Sequence, residues 1–356
     1  MVKIATLCGD GISPEIVGAT CAVIEAVKAY HKLDIALSHR NVGFHALKEH
    51  GVTITPEVIE HVQTCDGFIL GPVSHNAYPP REEGGLNPSG ELRRALTLYA
   101  NIRPARSRAN IPPKAGMPID IVVVRENTEG FYADRNMYFG QADMLVTEDV
   151  AVSMRRITRS ASIKIARQAF DLATTRSGRV TAVHKANVLR QSCGLFLSCC
   201  REVAVDYPQI TYKEELVDAM AAHLVRAPQE HDVIVTTNMF GDIISDLAAE
   251  LSGSLGLGAS LNSGRDHAMA QAQHGSAPDI AGQGIANPSS LIGSTAMLFH
   301  WLGQKHNCPE FQTAAAQIDA ALESVLSDPA KRTRDLGGPL GTEAFTDALI
   351  TALGRD

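Results

Sequence analysis

Short apolar runs alternate along this chain with stretches of helical periodicity. That alternation points to an α/β fold with a largely parallel sheet, because buried strands joined through helices must cross over. The first apolar run, Val2–Leu7, leads into the turn Gly9-Asp10-Gly11. Ser13 then has the residue type of a helix N-cap, with Pro14 at the first helical position. Ile16, Ala19, Val23, Ala26 and Val27 share one face of a helix that reaches about His31. Thr55-Pro56-Glu57 repeats the cap-and-proline signal. Residues 66–72 read as a strand running into a loop at 73–90, and Glu91–Ala100 as a helix. Further strands are predicted at Ile119–Val124, Val180–His184, Ile210–Glu214 and Asp232–Thr236. Further helices are predicted at 157–175, Ser289–Leu302 and Phe311–Leu326. Residues 252–265, mostly Gly, Ser and Leu, read as a crossing between domains, and 356 residues favour two of them.

Several function classes are excluded early. A net charge of −7 is a poor match to nucleic acid, whose phosphates require clustered Lys and Arg. No apolar run approaches the length of a membrane span, and the opening residues lack the pattern of a signal peptide, so a soluble, cytoplasmic protein is expected. The seven cysteines form no C-x-x-C pair, which fits reduced thiols better than a disulfide framework or a zinc site. The glycine cluster at 253–258 has the wrong order for G-x-G-x-x-G and follows no strand, so the Rossmann fingerprint is missing.

Four constellations carry chemistry. Asp242 and Asp246 follow the strand Asp232–Thr236 at i and i+4, which places both carboxylates on one helix face. Such a pair suits a hard cation, Mg²⁺ or Mn²⁺; equally, Asp242 could cap a helix and Asp246 be solvated. Arg93, Arg103 and Arg125 each stand at the edge of a predicted element, and guanidinium groups bind carboxylates bidentately. Together they fit a di- or tricarboxylate pocket. Taken singly, each reads first as a surface residue paired with Glu82, Glu83 or Glu91. Lys185 ends an apolar strand, the position either of a proton-transfer lysine or of a snorkelling one. Tyr132 fits a general acid or a core tyrosine with a wet hydroxyl. The glycine-rich run 274–288 suits wrapping a ligand with backbone groups.

In order, these segments resemble the β-decarboxylating dehydrogenases, the isocitrate/isopropylmalate dehydrogenase family. The landmarks are Gly9–Glu15, Tyr99–Arg106, Val124–Gly130, His184-Lys185-Ala186-Asn187, the Asp242/Asp246 stretch, His274–Pro288 and Thr333–Gly338. The resemblance implies a two-domain fold without a Rossmann motif. A discontinuous cofactor domain would span 1–98 plus 255–356. A smaller dimerisation and metal domain would span 99–254, with an arm near 133–153. The active site would lie in a cleft and be shared across a homodimer.

The resemblance also implies roles. Arg93, Arg103 and Arg125 hold substrate carboxylates, with Asn87, Ser89 and Asn187 beside them. Asp242, Asp246 and Asp218 of the partner subunit hold Mg²⁺ or Mn²⁺, a Lewis acid for oxidation and loss of CO₂. Lys185, which like Asp218 reaches into the partner's site, accepts the hydroxyl proton, and Tyr132 returns one to C3. His274, Gly275, Ser276, Ala277, Asp279 and Asn287 contact the cofactor. An acid at Asp279 matches the ribose hydroxyls of NAD and repels a 2′-phosphate.

The segment 86–93 separates substrate branches. Asn87 and Ser89 stand where isopropylmalate enzymes usually offer leucines, so a polar C3 substituent of the isocitrate, homoisocitrate or tartrate/malate type is expected. A 3-isopropylmalate dehydrogenase is the alternative. A noncatalytic regulatory or binding subunit is the alternative from another class, and the retention of Lys185, Tyr132, Asp218, Asp242 and Asp246 speaks against it. Cys8 and Ser13 depart from the usual first loop, and Gln271 replaces a glutamate of the nicotinamide side.

Overall fold

The computed structural model describes residues 1–132 and 142–354. The chain divides into two compact units. One comprises Met1–Leu96, Arg108–Pro112 and Ser254–Asp356; the other comprises Thr97–Ser107 and Pro113–Gly253. The α/β reading holds in both.

The first unit contains strands β1 (Val2–Cys8), β2 (Ile35–Asn41) and β3 (Gly67–Leu70), with helices α1 (Ser13–His31), α2 (Phe44–His50), α3 (Pro56–Gln63) and α4 (Pro88–Ala95). The second unit supplies β4 (Ala100–Arg106), β5 (Asp120–Glu126), β6 (Asp143–Thr147), β7 (Val150–Ser153), β8 (Arg179–His184), β9 (Thr211–Leu216) and β10 (Val233–Thr236). Its helices are α5 (Arg159–Thr174), α6 (Arg190–Ala204), α7 (Val217–Arg226) and α8 (Asn238–Ser252). The chain then returns to the first unit for β11 (Leu261–Ser263), β12 (Ala268–Gln271), α9 (Ser289–Lys305), α10 (Pro309–Ser327) and α11 (Thr342–Leu353).

In the first unit the strand order is β2-β1-β3-β12-β11, parallel except for the β11–β12 pair. Its core joins Ile4, Ile69 and Ala270 of the strands to Ile16, Val23, Leu291, Ile318 and Leu349 of α1, α9, α10 and α11. In the second unit the order is β4-β5-β10-β8-β9, with only β4 antiparallel. Alternate residues feed two cores. Val122, Val124, Val233 and Val235 meet α5 and α6, whereas Ile121, Val123 and Ile234 meet α7 and α8. A strand buried on both faces must be apolar throughout, and that continuity is what made β5, β8 and β10 legible.

Local chemistry corrects several boundaries. Thr55 does cap α3, accepting the Val58 amide at 3.4 Å. Ser13 does not cap α1: Ile12 holds the N-cap position, and the Ser13 hydroxyl accepts the Gly9 amide at 2.7 Å, tying the first turn. The helix expected at Glu91–Ala100 is α4, which starts at Pro88 because Asn87 caps it by accepting the Gly90 amide at 3.2 Å, and stops at Ala95, with Ala100 already in β4. The 73–90 loop contains two short 3₁₀ turns, His75–Ala77 and Arg81–Glu83. Buried Asp10 anchors it by accepting the Ser74 amide at 2.8 Å and the Tyr78 hydroxyl. Of the arm expected at 133–153, residues 133–141 lie outside the described residues. The remainder is the β6–β7 hairpin. All seven cysteines are free thiols, and no described helix is long and apolar enough to cross a membrane.

Candidate active site

In the second unit, β5, β10, β8 and β9 run parallel, and Arg125, Thr236, Val183 and Glu215 stand in one row across them. Their C-terminal ends therefore share an edge, where open α/β sheets collect ligands. Arg125 lies on β5 at this edge. Lys185 directly follows β8, Asp218 opens α7 after β9, and Asp242 and Asp246 ride on α8 after β10.

The face of β4 and β5 that meets α8 changes character toward this edge. Ala105, Ile121 and Val123 are apolar and packed against Ile244 and Ala248. Next on the same face come Arg103 and Arg125, 7% and 3% exposed. Two buried guanidiniums side by side are costly unless neutralised. Helix α8 supplies the counter-charge. Arg103 Nη1 donates to Asp242 Oδ1 and Asp246 Oδ1, both at 3.1 Å, and to the Ser245 hydroxyl at 2.9 Å. Arg125 pairs with the same Asp242 carboxylate, and its Nε donates to Asn238 Oδ1 at 2.8 Å. Burial, with the neighbouring Arg125 charge, pushes Arg103 down to about 10, against the pull of the two aspartates. The i, i+4 aspartates thus do share a face, and Arg103 donates to both. Asp242 is the fifth residue of α8, so it does not cap the helix.

Sequence reasoning missed Asn238 and Gly241. Asn238 is buried at the start of α8, where its amide also donates to the Glu129 carbonyl at 3.0 Å. Gly241 lets the helix pass over Arg125: a Cβ there would sit 2.6 Å from the arginine Cγ. A glycine one residue before an acid carries no sequence signal until its neighbour is known. The segment Glu126–Gly130 folds back on itself. The Glu126 carboxylate accepts the Thr128 and Glu129 amides at 2.8 and 3.0 Å, and burial pushes it above the usual carboxylate range despite them. Tyr132 follows, with its hydroxyl 3.4 Å from Asp242 Oδ2 and the Arg125 guanidinium 5.8 Å from its ring centroid.

Lys185 and Asp218 pair with one another, as the adjacency of β8 and β9 requires. This hydrogen bond holds the Asp218 carboxyl below its ordinary value. Asn187 is exposed in the turn that follows Lys185.

The other candidates belong to the first unit. Arg93, on α4, and Ser89 both donate to Gln271 Oε1, at 3.2 and 3.0 Å. The Asn87 amide oxygen, which caps α4, and the Ser89 hydroxyl are thus both engaged within the fold. The pairings anticipated for the arginines also shift: Glu91 bonds Arg81 and Arg94. Loop 274–287 packs on the first turn, where Ile12 donates to the Ser276 carbonyl at 2.9 Å and Ser276 shares a 2.7 Å hydroxyl bond with Ser74. Its middle stays open. Gly275 has nothing near its Cβ position, Ala277 takes a left-handed φ of 37°, and Asp279 is exposed in a single 3₁₀ turn. The far end is pinned by Glu15, which accepts the Gly282 amide at 2.6 Å, and by Asn287, which donates to Asp335 at 2.9 Å. Burial lowers His274, so its ring is neutral at pH 7.

Two partly exposed carboxylates converging on one cationic nitrogen offer the oxygen donors that Mg²⁺ or Mn²⁺ requires. A loop fixed at both ends, with open backbone and an exposed acid between, fits a nucleotide carrying ribose hydroxyls.

The sequence matches the family described as Isocitrate/isopropylmalate dehydrogenase over residues 3–350. It is 41% identical to 3-isopropylmalate dehydrogenase of Archaeoglobus fulgidus, over 99% of this chain and 100% of that protein. It is 40% identical to isocitrate/homoisocitrate dehydrogenase of Thermus thermophilus, over 99% of this chain and 98% of that one. The structure of isocitrate dehydrogenase from Methylococcus capsulatus superposes with a TM-score of 0.88, at 38% identity and full coverage of both chains.

Proposed function

Because this chain belongs to the isocitrate/isopropylmalate dehydrogenase family, we propose that it oxidises and decarboxylates a 2-hydroxy acid bearing a C3 carboxylate, using NAD and Mg²⁺ or Mn²⁺. The observation that carries this reading is the buried Arg103–Arg125 pair neutralised by Asp242 and Asp246 at the C-terminal sheet edge. A substrate carboxylate would be held by the guanidiniums, and a divalent cation by the aspartates.

Asp242 and Asp246, with Asp218 of the partner subunit, would hold the cation. When bound, it supplies Lewis-acid polarisation of the substrate oxygen, and the nicotinamide supplies the hydride acceptor. Arg103 and Arg125 bind and orient the carboxylates, with Arg93 the third guanidinium of the proposed set. Lys185 of the partner subunit, paired with the partner subunit's Asp218, accepts the C2 hydroxyl proton. Tyr132, held beside Asp242 and Arg125, supplies the proton to C3. Asp279 accepts from the ribose hydroxyls, and the neutral His274 ring packs on the nucleotide.

The shared active site requires a homodimer. Its support is the β6–β7 hairpin, whose Leu145, Val146 and Val150 are 74%, 58% and 46% exposed. A two-stranded hairpin with that much bare apolar surface is stable when another chain covers it.

A polar C3 substituent remains the first reading for the substrate. One observation favours isopropylmalate instead: the Asn87 amide oxygen and the Ser89 hydroxyl are spent inside the fold, so neither need face a ligand. NADH formation with isocitrate, homoisocitrate, tartrate, D-malate and isopropylmalate, with Mn²⁺ and with NADP in parallel, separates the two. Turnover of isopropylmalate alone rejects the polar pocket, preference for NADP rejects the Asp279 assignment, and turnover unaffected by EDTA rejects the metal.

A further inference from the structure

At the outer edge of the second unit, three metal-ligating side chains meet outside the site described above. Glu215 lies on the edge strand β9, in register with Val183 of the core beneath α7 and α8. His223 comes from α7. His231 follows the 3₁₀ turn Pro228–Glu230, just before β10. One ligand atom from each lies within 4.8 Å of the others. His223 Nδ1 is 2.5 Å from Glu215 Oε1, and the two imidazole rings are nearly parallel, with centroids 6.3 Å apart.

His231 is the informative member. It is 7% exposed, and both ring nitrogens are buried with no hydrogen-bond partner among the described residues. Buried polar groups are paired in nearly every native fold, because an unpaired one has lost water and gained nothing. A histidine there only to fill space would be better replaced by an apolar residue. Burial holds His231 below its ordinary value, against the pull of Glu215, so a nitrogen lone pair is available at neutral pH.

We propose that Glu215, His223 and His231 form a second cation site of the zinc class, distinct from the carboxylate site. Two imidazoles and one carboxylate match Zn²⁺ and its Co²⁺ substitute, with solvent in the fourth position beside the partly exposed His223. Mg²⁺ favours all-oxygen sites, so the two sites select by ligand softness. On binding, the cation takes one ligand atom from each of the three side chains. It then ties the end of β9 and the start of β10 to α7, the helix that carries Asp218 three residues after Glu215.

The test strips the full-length protein with a chelator and titrates it with Zn²⁺ alone, then with Co²⁺ alone, reading bound metal per chain and the visible Co²⁺ spectrum. Asp246→Asn, which weakens the carboxylate site, is expected to keep one Zn²⁺ per chain and an intense Co²⁺ band of low-coordinate nitrogen ligation. Adding His223→Gln, at a partly exposed position, is expected to cost at least about tenfold in Zn²⁺ affinity, the lower range of what even an outer-shell partner contributes, and to abolish that band. Circular dichroism checks folding, and His231→Gln serves as the second variant. Zn²⁺ affinity and Co²⁺ spectrum unchanged by both histidine variants would overturn the proposal. These readouts do not pass through turnover, so a wrong substrate assignment leaves them intact.

Discussion

The two units build the edges proposed to face ligands from different material. The second unit uses long charged side chains: Arg103 and Arg125 from strands, Asp242 and Asp246 from the helix that covers them. The first unit uses backbone and small groups, with Ser276 and Ala277 beside the open glycines of loop 274–284. Charges buried in pairs couple stability to function, because each holds its neighbour. A backbone loop pinned at both ends leaves the two nearly separate. Substitutions in the second unit should therefore damage fold and turnover together, and those in the first should change recognition alone.

The largest effect tests an exception inside the second unit. The Lys185–Asp218 pair is comparatively exposed, so Lys185→Met should lower kcat by about 100- to 10,000-fold, the usual range for a general base, with almost no change in denaturation midpoint. Asp242→Asn should cost both. It leaves two buried guanidiniums short of their shared counter-ion, and about 3 kcal/mol of stability should be lost, the lower end for a broken buried pair because Asp242 is partly exposed. Urea denaturation measures it. Asp279→Lys in the first unit should instead move cofactor preference from NAD toward NADP with the midpoint unchanged.

A pair of alanine substitutions sharpens the contrast. Gly241→Ala drives a Cβ into the Arg125 stem and should cost about 1–3 kcal/mol. Gly275→Ala meets open space and should cost under about 0.5 kcal/mol. Equal costs would erase the distinction between the units.

The smallest effect is shared by both. Burial lowers His184 in the second unit and His274 in the first below the ordinary 6.5. Between those lowered values and 6.5 the unfolded chain binds more protons than the folded one, so stability falls as pH drops through that range and is complete above it. Denaturation midpoints followed with pH should show this decline, and it should weaken in His274→Gln.

The same contrast explains what the sequence made legible. Side-chain chemistry at fixed spacing was readable: Asp242 and Asp246 at i, i+4, Arg125 at the end of an apolar strand, Thr55 before a proline. What depended on a distant neighbour was not. Ser13 has the residue type of a cap but turns to the Gly9 amide. Asn238 and Gly241 take their meaning only from Arg125, more than a hundred positions away in the chain. Short strands such as β11 and β12 carry too few residues to show a period. Helix α7 begins after Leu216 with no side-chain cap, so nothing announced it. The cluster of Glu215, His223 and His231 spans a strand, a helix and a turn, and no local spacing joins them.

The central claim is that Asp242 and Asp246 hold a divalent cation beside the buried arginines. Mn²⁺ affinity, read by electron paramagnetic resonance on the wild type and on Asp246→Asn, tests it most directly. Asp246 is 48% exposed, so the variant should fold normally, yet bind Mn²⁺ at least about tenfold more weakly. Equal Mn²⁺ affinity in the two proteins would contradict the account.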